Sequence, residues 1–264
     1  MSPGAPRPVA LVTGASSGIG LELARMAAAR GHDVVLVARG EAALRALAEE
    51  LARDHGASAH VVAADLALPD GPERVVEGVE ALGLEVDVLV NNAGFGLYGD
   101  FLDTDLAIER DMIAVNVTAP TALAKRFAIP MARRGRGRIL NVASTAAFQP
   151  GPRMAVYYAT KAYVVSFSEA LADELSGSGL RISCLAPGPT ATAFAAEAGA
   201  TESRLFQGET MSVDEVARIG YEGWKQGKPL VIAGARNRLG ALAVRLLPRA
   251  YVRKLVRDLN TRGD

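Results

Sequence analysis

Short apolar runs rich in β-branched residues alternate along the chain with longer, alanine-rich segments of helical periodicity. Helices are predicted over about residues 19–30 and 41–55, after the first two runs. Each run is apolar at successive positions, so both sides of the strand are buried, which is typical of a parallel sheet covered by helices on both faces. The predicted strands are residues 9–13, 33–38, 58–65, 87–94, 138–144, 181–188 and 229–234. The pattern predicts an α/β fold with a doubly wound, seven-stranded sheet that binds ligands at the carboxyl ends of its strands.

The chain has 264 residues and shows no internal repeat or interdomain linker, so we predict one domain over residues 1–264. Its least regular stretch, residues 189–211, lies between a predicted strand and a predicted helix. That helix starts with Ser212-x-x-Glu215, which fits a capping box. A long irregular segment at this edge of the sheet is a candidate substrate lid.

The turn between the first strand and the first helix has the sequence TGASSGIG, residues 13–20. Gly14 permits a tight turn, Gly18 lets a pyrophosphate approach the backbone, and Gly20 lets helix and strand pack closely. The free N–H groups and the dipole of the helix N-terminus then face the anion. We therefore expect a dinucleotide site, with G-x-x-x-G-x-G spacing in place of the G-x-G-x-x-G of many dehydrogenases.

The end of the second strand distinguishes between the two dinucleotides. An acid about 20 residues past the loop would bind the ribose 2′-hydroxyl of NAD, but this chain has Ala38 followed by Arg39. A guanidinium there favours the 2′-phosphate of NADP(H). The alternative is that Arg39 only solvates the strand end. Asp65 and Leu66, which end the third strand, are expected beside the adenine.

Further motifs follow the glycine loop in a fixed order. They are NNAG (91–94), Asn116 in VNVTAP, Ser144 in NVASTAAF, Tyr157 and Lys161 as YxxxK thirteen residues past the serine, and PGPTAT (187–192). With these motifs the chain resembles the short-chain dehydrogenase/reductase family up to about residue 235. The resemblance implies a Rossmann-like sheet with strand order 3-2-1-4-5-6-7, oxidoreductase activity with NADP(H), and a homodimer or homotetramer.

The motifs and the resemblance together give a set of candidate site residues. The implied catalytic residues are Asn116, Ser144, Tyr157 and Lys161. The candidate cofactor-binding residues are Gly14, Ser16, Ser17, Gly18, Ile19, Gly20, Arg39, Asp65, Leu66, Asn92, Ala93, Gly94, Tyr157, Lys161, Pro187, Gly188, Thr190 and Thr192. The resemblance further implies that Lys161 bonds the nicotinamide ribose and that Asn116 holds a water connecting Lys161 to solvent.

Spacing selects Tyr157 over the adjacent Tyr158 as the reacting tyrosine. Tyr157 and Lys161 are at i and i+4 and share a helix face, whereas Tyr158 has Ala162 at that spacing. We expect the ammonium to lower the pKa of the phenol. Tyr157 would then give a proton to a carbonyl oxygen as hydride arrives, or take one from an alcohol in reverse. Ser144 would hold the same oxygen by a hydrogen bond.

These polar residues also have plainer interpretations. Ser144 could be a strand-end serine that satisfies backbone groups, and Asn116 an ordinary helix asparagine. The asparagine pair at 91–92 is expected mainly to stabilise the sheet edge. Thr190 and Thr192 either bind the nicotinamide carboxamide and the phosphates or cap a turn.

Apolar side chains near these elements indicate the substrate class. They are Phe95, Leu97, Tyr98, Phe148, Met154, Phe194, Leu205 and Phe206. We expect an apolar ketone, aldehyde or secondary alcohol, and the alternative is that some of these residues are core or oligomer contacts. Two other functions are compatible with the sequence: a non-catalytic NADP(H)-sensing protein, and a sugar-nucleotide epimerase or dehydratase of the wider family.

Composition limits the expected binding partners of the protein and the cellular compartment in which it works. The net charge is zero, so we expect no nucleic-acid partner. Cys184 is the only cysteine, which excludes an intrachain disulfide and fits a reducing cytoplasm. The residues before the first strand lack the long apolar core of a signal peptide. The three histidines have no ligand-like spacing, and we infer no metal site.

The C-terminal tail, residues 236–260, carries two apolar stripes at helical spacing that are separated at Pro248. They consist of Leu239, Leu242, Ala243, Leu246 and Leu247, and then of Tyr251, Val252, Leu255, Val256 and Leu259. Arg249, Arg253, Lys254 and Arg257 flank the second stripe. Such a basic amphipathic helix pair packs on the protein's own core or on a second subunit, or it lies on an anionic membrane surface.

Overall fold

Seven parallel strands form one sheet in the computed structural model, which describes residues 7–261. They are β1 (Val9–Thr13), β2 (Asp33–Ala38), β3 (Ala59–Ala63), β4 (Val86–Asn91), β5 (Gly137–Val142), β6 (Leu180–Ala186) and β7 (Leu230–Ile232). The order across the sheet is β3-β2-β1-β4-β5-β6-β7, and each neighbouring pair is parallel. The predicted sheet and its strand order are confirmed.

Helices cover both faces of this sheet. They are α1 (Gly18–Ala29), α2 (Glu41–His55), α3 (Gly71–Ala81), α4 (Leu106–Ile113), α5 (Ala119–Arg133), α6 (Ala155–Glu174), α7 (Phe194–Glu197), α8 (Arg204–Gln207), α9 (Val213–Lys225), α10 (Ala235–Leu246) and α11 (Arg249–Leu259). A π-helical turn, Ala114–Thr118, joins α4 to α5, and a 3-10 turn, Thr145–Phe148, precedes α6. Val12 of β1 packs in one core with α1, α2 and α9, and Leu11 packs in the other with α3 and α5. Because the strands are apolar on both sides, they contribute side chains to two separate cores, one on each face of the sheet.

The strands from β3 to β7 end two or three residues earlier than the sequence pattern predicts. Thr13 shows the reason at the end of β4. Its hydroxyl accepts the backbone N–H groups of Asn92 and Ala93, each at 3.0 Å, and draws the chain out of the strand ladder. The polar residues past the strand ends thus form loops at the carboxyl edge of the sheet.

Residues 189–211 leave the carboxyl edge and return to it, and they contain α7 and α8. Met211 holds the two ends together, because its N–H donates to the oxygen of Pro189 at 3.0 Å and its oxygen accepts the N–H of Ala191 at 2.9 Å. Ser212 then caps α9 by accepting a backbone N–H at 3.2 Å, as the predicted capping box requires. The segment is more regular than the sequence indicates, since its base is closed by backbone hydrogen bonds.

The C-terminal tail folds back onto the protein. Val252 and Val256 of α11 are buried in a cluster with Met154 and Tyr158. The remaining large apolar side chains of the tail face solvent in the described part of the chain: Leu239, Leu242, Leu246, Leu247, Tyr251, Leu255 and Leu259. Packing on its own core therefore occupies only one side of the tail. No helix within residues 7–261 has the length and apolarity needed to cross a membrane.

Candidate active site

A cavity of about 580 Å³ opens at the carboxyl edge of the sheet, between the strand-end loops and segment 189–211. The predicted site residues on its wall are Gly14, Ser16, Ser17, Gly18, Ile19, Arg39, Asp65, Leu66, Asn92, Ala93, Gly94, Ser144, Tyr157, Lys161, Pro187, Gly188, Thr190 and Thr192. Gly20 and Asn116 belong to the predicted set but lie behind this wall. One cavity thus brings together most of the candidate cofactor-binding and catalytic residues.

The glycine loop lines the cavity with backbone atoms that no glycine side chain covers. Gly14 and Gly18 have φ angles of +66° and +55°, which side chains rarely tolerate. A Cβ on Gly14 would lie 2.8 Å from Nδ2 of Asn92, and a Cβ on Gly20 would lie 2.3 Å from the same atom. Gly20 therefore serves the packing of α1 on the sheet. The N-cap Ser17 makes no side-chain capping bond, which leaves the first N–H groups of α1 to an anion or water.

Arg39, directly after the end of β2, places an exposed guanidinium at the cavity. Arg39 is exposed on the cavity wall and makes no ion pair or side-chain hydrogen bond with any residue in the described range 7–261. Asp65, on the neighbouring loop, accepts the N–H of Ala67 at 3.0 Å and so stabilises its own turn, while Leu66 is buried. The open helix N-terminus and the glycine cradle fit the pyrophosphate of a dinucleotide.

Tyr157, Ser144 and Lys161 meet on one wall of the cavity. Tyr157 lies in the first turn of α6, is buried, and lies close enough to Ser144 for that hydroxyl to act on its pKa. The Nζ of Lys161 lies 5.8 Å from the centre of the Tyr157 ring and donates to the oxygen of Val142 at 3.1 Å. The Oγ of Ser144 accepts the N–H of Ala146 at 3.1 Å, which fixes the serine just past β5.

Burial governs the protonation of these groups. It raises the pKa of Tyr157 above its ordinary value, and the neighbouring Ser144 hydroxyl opposes that rise. Burial also lowers the pKa of Lys161 from 10.5 to about 8. The expected lowering of the tyrosine pKa by the ammonium is therefore wrong for the protein alone, because burial raises this pKa and Lys161 is not among the groups that shift it. Tyr157 is a neutral phenol at neutral pH, which is the state of a proton donor.

Asn116 occupies the π-helical turn between α4 and α5 and is almost fully buried. Its Nδ2 donates to the oxygen of Phe95 at 2.9 Å and to Oγ1 of Thr160 at 3.1 Å, and its Oδ1 accepts the N–H of Phe95 at 3.1 Å. A Cβ on Gly94 would lie 2.9 Å from that Oδ1 and 3.2 Å from Nζ of Lys161. The predicted catalytic asparagine is thus placed near the lysine but off the cavity surface, because its amide bonds inward.

Asn91, Thr190 and Thr192 form hydrogen bonds with neighbouring strands or with their own turn. Nδ2 of Asn91 donates to Oδ1 of Asn141 at 2.9 Å, which ties β4 to β5. Thr190 donates to the oxygen of Gly188 at 2.9 Å, and Thr192 accepts a backbone N–H at the start of α7 at 3.2 Å. In the protein alone both threonine hydroxyls shape the turn that follows β6, while both residues also line the cavity.

The substrate side of the cavity is mainly apolar. Of the residues predicted there, Phe95, Met154, Phe194, Leu205 and Phe206 lie on the wall. The ring of Phe194 lies 5.1 Å from that of Tyr157 and 6.0 Å from that of Phe206, measured between ring centres. A continuous apolar surface therefore leads from the candidate proton donor into segment 189–211.

Three predicted pocket residues lie elsewhere. Leu97 borders a separate small cavity, the hydroxyl of Tyr98 donates to the backbone of Asn260, and Phe148 packs behind β6. Sequence reasoning in turn missed several wall residues, namely Val115, Gln149 and Tyr158. Gln149 could have been found from its place directly after the turn that carries Ser144. Sequence reasoning also missed Asn260, which accepts hydrogen bonds from the hydroxyls of Tyr98 and Tyr158. No sequence pattern points to Asn260, because its contacts come from distant parts of the chain.

The family of the chain follows from comparison with known proteins. A profile of the family described as short chain dehydrogenase matches residues 8–203. The chain belongs to this family. Short-chain dehydrogenases are oxidoreductases that use nicotinamide cofactors, which agrees with a cavity that joins a dinucleotide cradle to a tyrosine–lysine pair.

Curated relatives of this short-chain dehydrogenase match it over different shares of their length. A putative ketoacyl reductase of Streptomyces coelicolor is 38% identical over 205 residues, which are 76% of this chain and 78% of that protein. A short chain dehydrogenase of Pseudocercospora fijiensis is 37% identical over 181 residues, which are 68% of this chain and 58% of that protein.

Solved structures of other short-chain dehydrogenases superpose over most of the chain. One from Sphingobium yanoikuyae, in complex with NADPH, has a TM-score of 0.82 at 35% identity and covers 90% of this chain and 93% of that one. The bulky-bulky ketone specific alcohol dehydrogenase from Comamonas testosteroni has a TM-score of 0.78 at 31% identity and covers 92% and 93% of the two chains.

Proposed function

We propose that this short-chain dehydrogenase is an NADP(H)-dependent enzyme that interconverts a bulky, apolar ketone or aldehyde and the corresponding alcohol. The observation that carries the proposal is the meeting of Tyr157, Ser144 and Lys161 on one wall of a cavity whose other rim bears Arg39. When bound, the cofactor supplies or accepts the hydride. The residues of the chain supply binding, orientation and the proton.

Arg39 supports NADP(H) over NAD(H). Its guanidinium is exposed at the end of β2 and has no partner within the described residues, so a 2′-phosphate would meet a free cation. The glycine loop and the open N-terminus of α1 would hold the pyrophosphate. A neighbour with 35% identity was solved with NADPH, which agrees with this assignment.

Tyr157 would act as the acid in the direction of reduction. Its phenol is protonated at neutral pH, so that it can donate its proton to the carbonyl oxygen as negative charge develops there. Ser144, which lies beside the same hydroxyl, would donate to that oxygen and stabilise the charge. Lys161 would replace the lost proton, because its lowered pKa of about 8 makes the ammonium a ready donor near neutral pH. In the direction of alcohol oxidation the same groups work in reverse.

The cavity wall favours an uncharged substrate. Its cations are Arg39 and Lys161, and both belong to the cofactor and catalytic parts. The remaining ionisable wall residues on the substrate side are acidic, Asp111 and Glu197, and they would repel a carboxylate or a phosphate. Phe194 and Phe206 instead offer a large apolar surface. A neighbour specific for bulky-bulky ketones supports this choice of substrate class.

We infer that the enzyme works in the cytoplasm as a homodimer or homotetramer. The sheet-covering helices α5 and α6 expose Ile129 and Tyr163, which are suited to contact with a second subunit. The single cysteine, Cys184, is free and buried, as is usual in a reducing compartment.

A spectrophotometric assay of NADPH oxidation tests the proposal. Ketones of increasing bulk are compared with pyruvate, and NADPH is compared with NADH. We expect bulky neutral ketones to exceed pyruvate in kcat/KM by at least about 100-fold and NADPH to be preferred by at least about tenfold. Preference for pyruvate, or no net oxidation with any carbonyl compound, would contradict it. The second result would favour a sensor or an epimerase.

A further inference from the structure

Each of the two C-terminal helices presents large apolar side chains to solvent, and these side chains are here together named the tail face. It consists of Leu239, Leu242, Leu246, Leu247, Tyr251, Leu255 and Leu259, all exposed. Leu246 is 88% exposed and Leu239 is 70% exposed. Apart from Leu247, which follows the end of α10, these residues recur three or four positions apart within each helix, so each helix gathers them on one side. Exposed leucines that recur on one side of two successive helices indicate an interaction surface.

The tail face is held in place by the opposite side of the same helices. Val252 and Val256 of α11 are buried in the cluster that contains Tyr157 and Tyr158, and Ala241 of α10 is buried as well. The inward positions therefore satisfy the packing of the tail on the protein. The outward leucines are a second apolar set that this packing does not use.

The two helices that carry the tail face are rich in exposed cations. The helices α10 and α11 carry seven basic side chains and one acidic one, Asp258. The basic residues are Arg236, Arg238, Arg245, Arg249, Arg253, Lys254 and Arg257, all exposed. Of these, Arg236 pairs with Glu209 at 3.5 Å, and no ion pair joins the other six to a residue between 7 and 261. Their charge is therefore available to an external partner.

We propose that the tail face docks on an anionic phospholipid surface. Exposed apolar side chains on helices rich in unpaired cations match the acyl boundary and the phosphate layer of such a surface. A second copy fits less well, because a twofold interface would bring two sets of cations together. The helices have 12 and 11 residues, fewer than the roughly 20 that a membrane span requires, so they would lie in the plane of the interface.

Docking does not depend on the proposed activity and can be tested without it. The full-length protein is floated with vesicles of phosphatidylcholine alone or of phosphatidylcholine with phosphatidylglycerol. We expect it to float with the anionic vesicles at low salt and to stay behind with the neutral ones. Raising the salt from about 0.05 M to about 0.5 M should release it, because the cations are then screened. Failure to float with anionic vesicles at low salt would overturn the proposal.

Single substitutions locate the contact. Leu246→Asp in α10 and Leu255→Asp in α11 should each lower the bound fraction at least about fivefold, since each places an acid in the apolar surface. Leu82→Asp is the matched control: Leu82 is an exposed leucine at the end of α3, at the opposite edge of the sheet. It should bind like the wild type. Thermal unfolding confirms that all three variants are folded.

The same variants reveal a protein partner if one covers the tail face. Sedimentation of the wild type and of Leu246→Asp measures the number of subunits without lipid. An unchanged oligomer together with lost vesicle binding supports the proposal. An oligomer that dissociates in Leu246→Asp, with no flotation of the wild type, assigns the face to a second copy and overturns it.

Discussion

Tyr158 donates a hydrogen bond to the side-chain oxygen of Asn260 at 3.3 Å and so joins the helix of the candidate proton donor to the end of the chain. Asn260 is 1% exposed. Its Nδ2 donates to the oxygen of Pro152 at 2.9 Å, and its backbone oxygen accepts the hydroxyl of Tyr98 at 2.6 Å. The tail is therefore fastened at a point next to the cavity wall.

Asn260→Ala should destabilise this attachment. It leaves the hydroxyl of Tyr158 and the oxygen of Pro152 buried without their partner, which costs about 1–3 kcal/mol of unfolding free energy. The substrate KM should rise, because Tyr158 lines the cavity. Chemical denaturation and steady-state kinetics measure the two effects. Unchanged stability together with an unchanged KM would show that the attachment is not needed.

Gly94→Ala should damage both stability and activity. The added methyl group would lie 2.9 Å from Oδ1 of Asn116 and 3.2 Å from Nζ of Lys161, so one of these groups must move. We expect a loss of about 1–3 kcal/mol in stability and a fall in kcat/KM of about 10- to 100-fold. Gly177→Ala is the matched control, since a Cβ there meets no atom within 4 Å. Equal behaviour of the two variants would contradict the crowding argument.

Burial of Lys161 should make the stability of the cofactor-free protein depend on pH. Its pKa is about 8 in the folded protein and 10.5 when exposed. Between these values the unfolded state binds more protons, so this group makes stability rise with pH. Below about pH 8 the buried charge costs up to about 3 kcal/mol.

Lys161→Met isolates this effect. The variant should be more stable than the wild type at about pH 7, and its advantage should shrink as the pH approaches about 10. Denaturation of both proteins across this window measures the difference. A difference that stays constant with pH would mean that Lys161 keeps its ordinary pKa in the folded protein.

Arg39→Ala should weaken the preference for NADPH. Loss of a charge-assisted contact to the 2′-phosphate is worth about 1.5–3 kcal/mol, so kcat/KM for NADPH should fall about 10- to 100-fold, while that for NADH changes little. Arg133→Ala, at an exposed arginine on the last turn of α5, is the control. An equal loss of kcat/KM with both cofactors would mean that Arg39 does not bind the 2′-phosphate.

The sheet and much of the cavity wall could be predicted from the sequence for one physical reason. Strands such as β1 and β2 are apolar on both sides, which fixes a parallel sheet between two helical layers. The carboxyl ends of parallel strands then meet at one edge, so Gly14, Asn92 and Ser144 must lie near one another although they are far apart in the chain.

Other features could not be predicted, because they depend on burial and on distant contacts. The pKa of Tyr157 rises although a lysine lies one turn away, since no sequence pattern reports how completely water is excluded. Asn116 lies in the π-helical turn, and its side chain donates hydrogen bonds to Phe95 and Thr160 behind the cavity wall. Periodicity found both apolar stripes of the tail but could not tell which residues pack inward.

The most direct measurement is NADPH oxidation with a bulky ketone by the wild type, by Tyr157→Phe and by Tyr158→Phe. The two adjacent phenols differ in their surroundings, since Tyr157 lies beside Ser144 and the hydroxyl of Tyr158 donates to Asn260. Loss of the proton donor should lower kcat about 10²- to 10⁴-fold in Tyr157→Phe, and Tyr158→Phe should keep kcat within about threefold of the wild type. Substantial activity of Tyr157→Phe, or an equal loss in both variants, would contradict the assignment of Tyr157 as the acid.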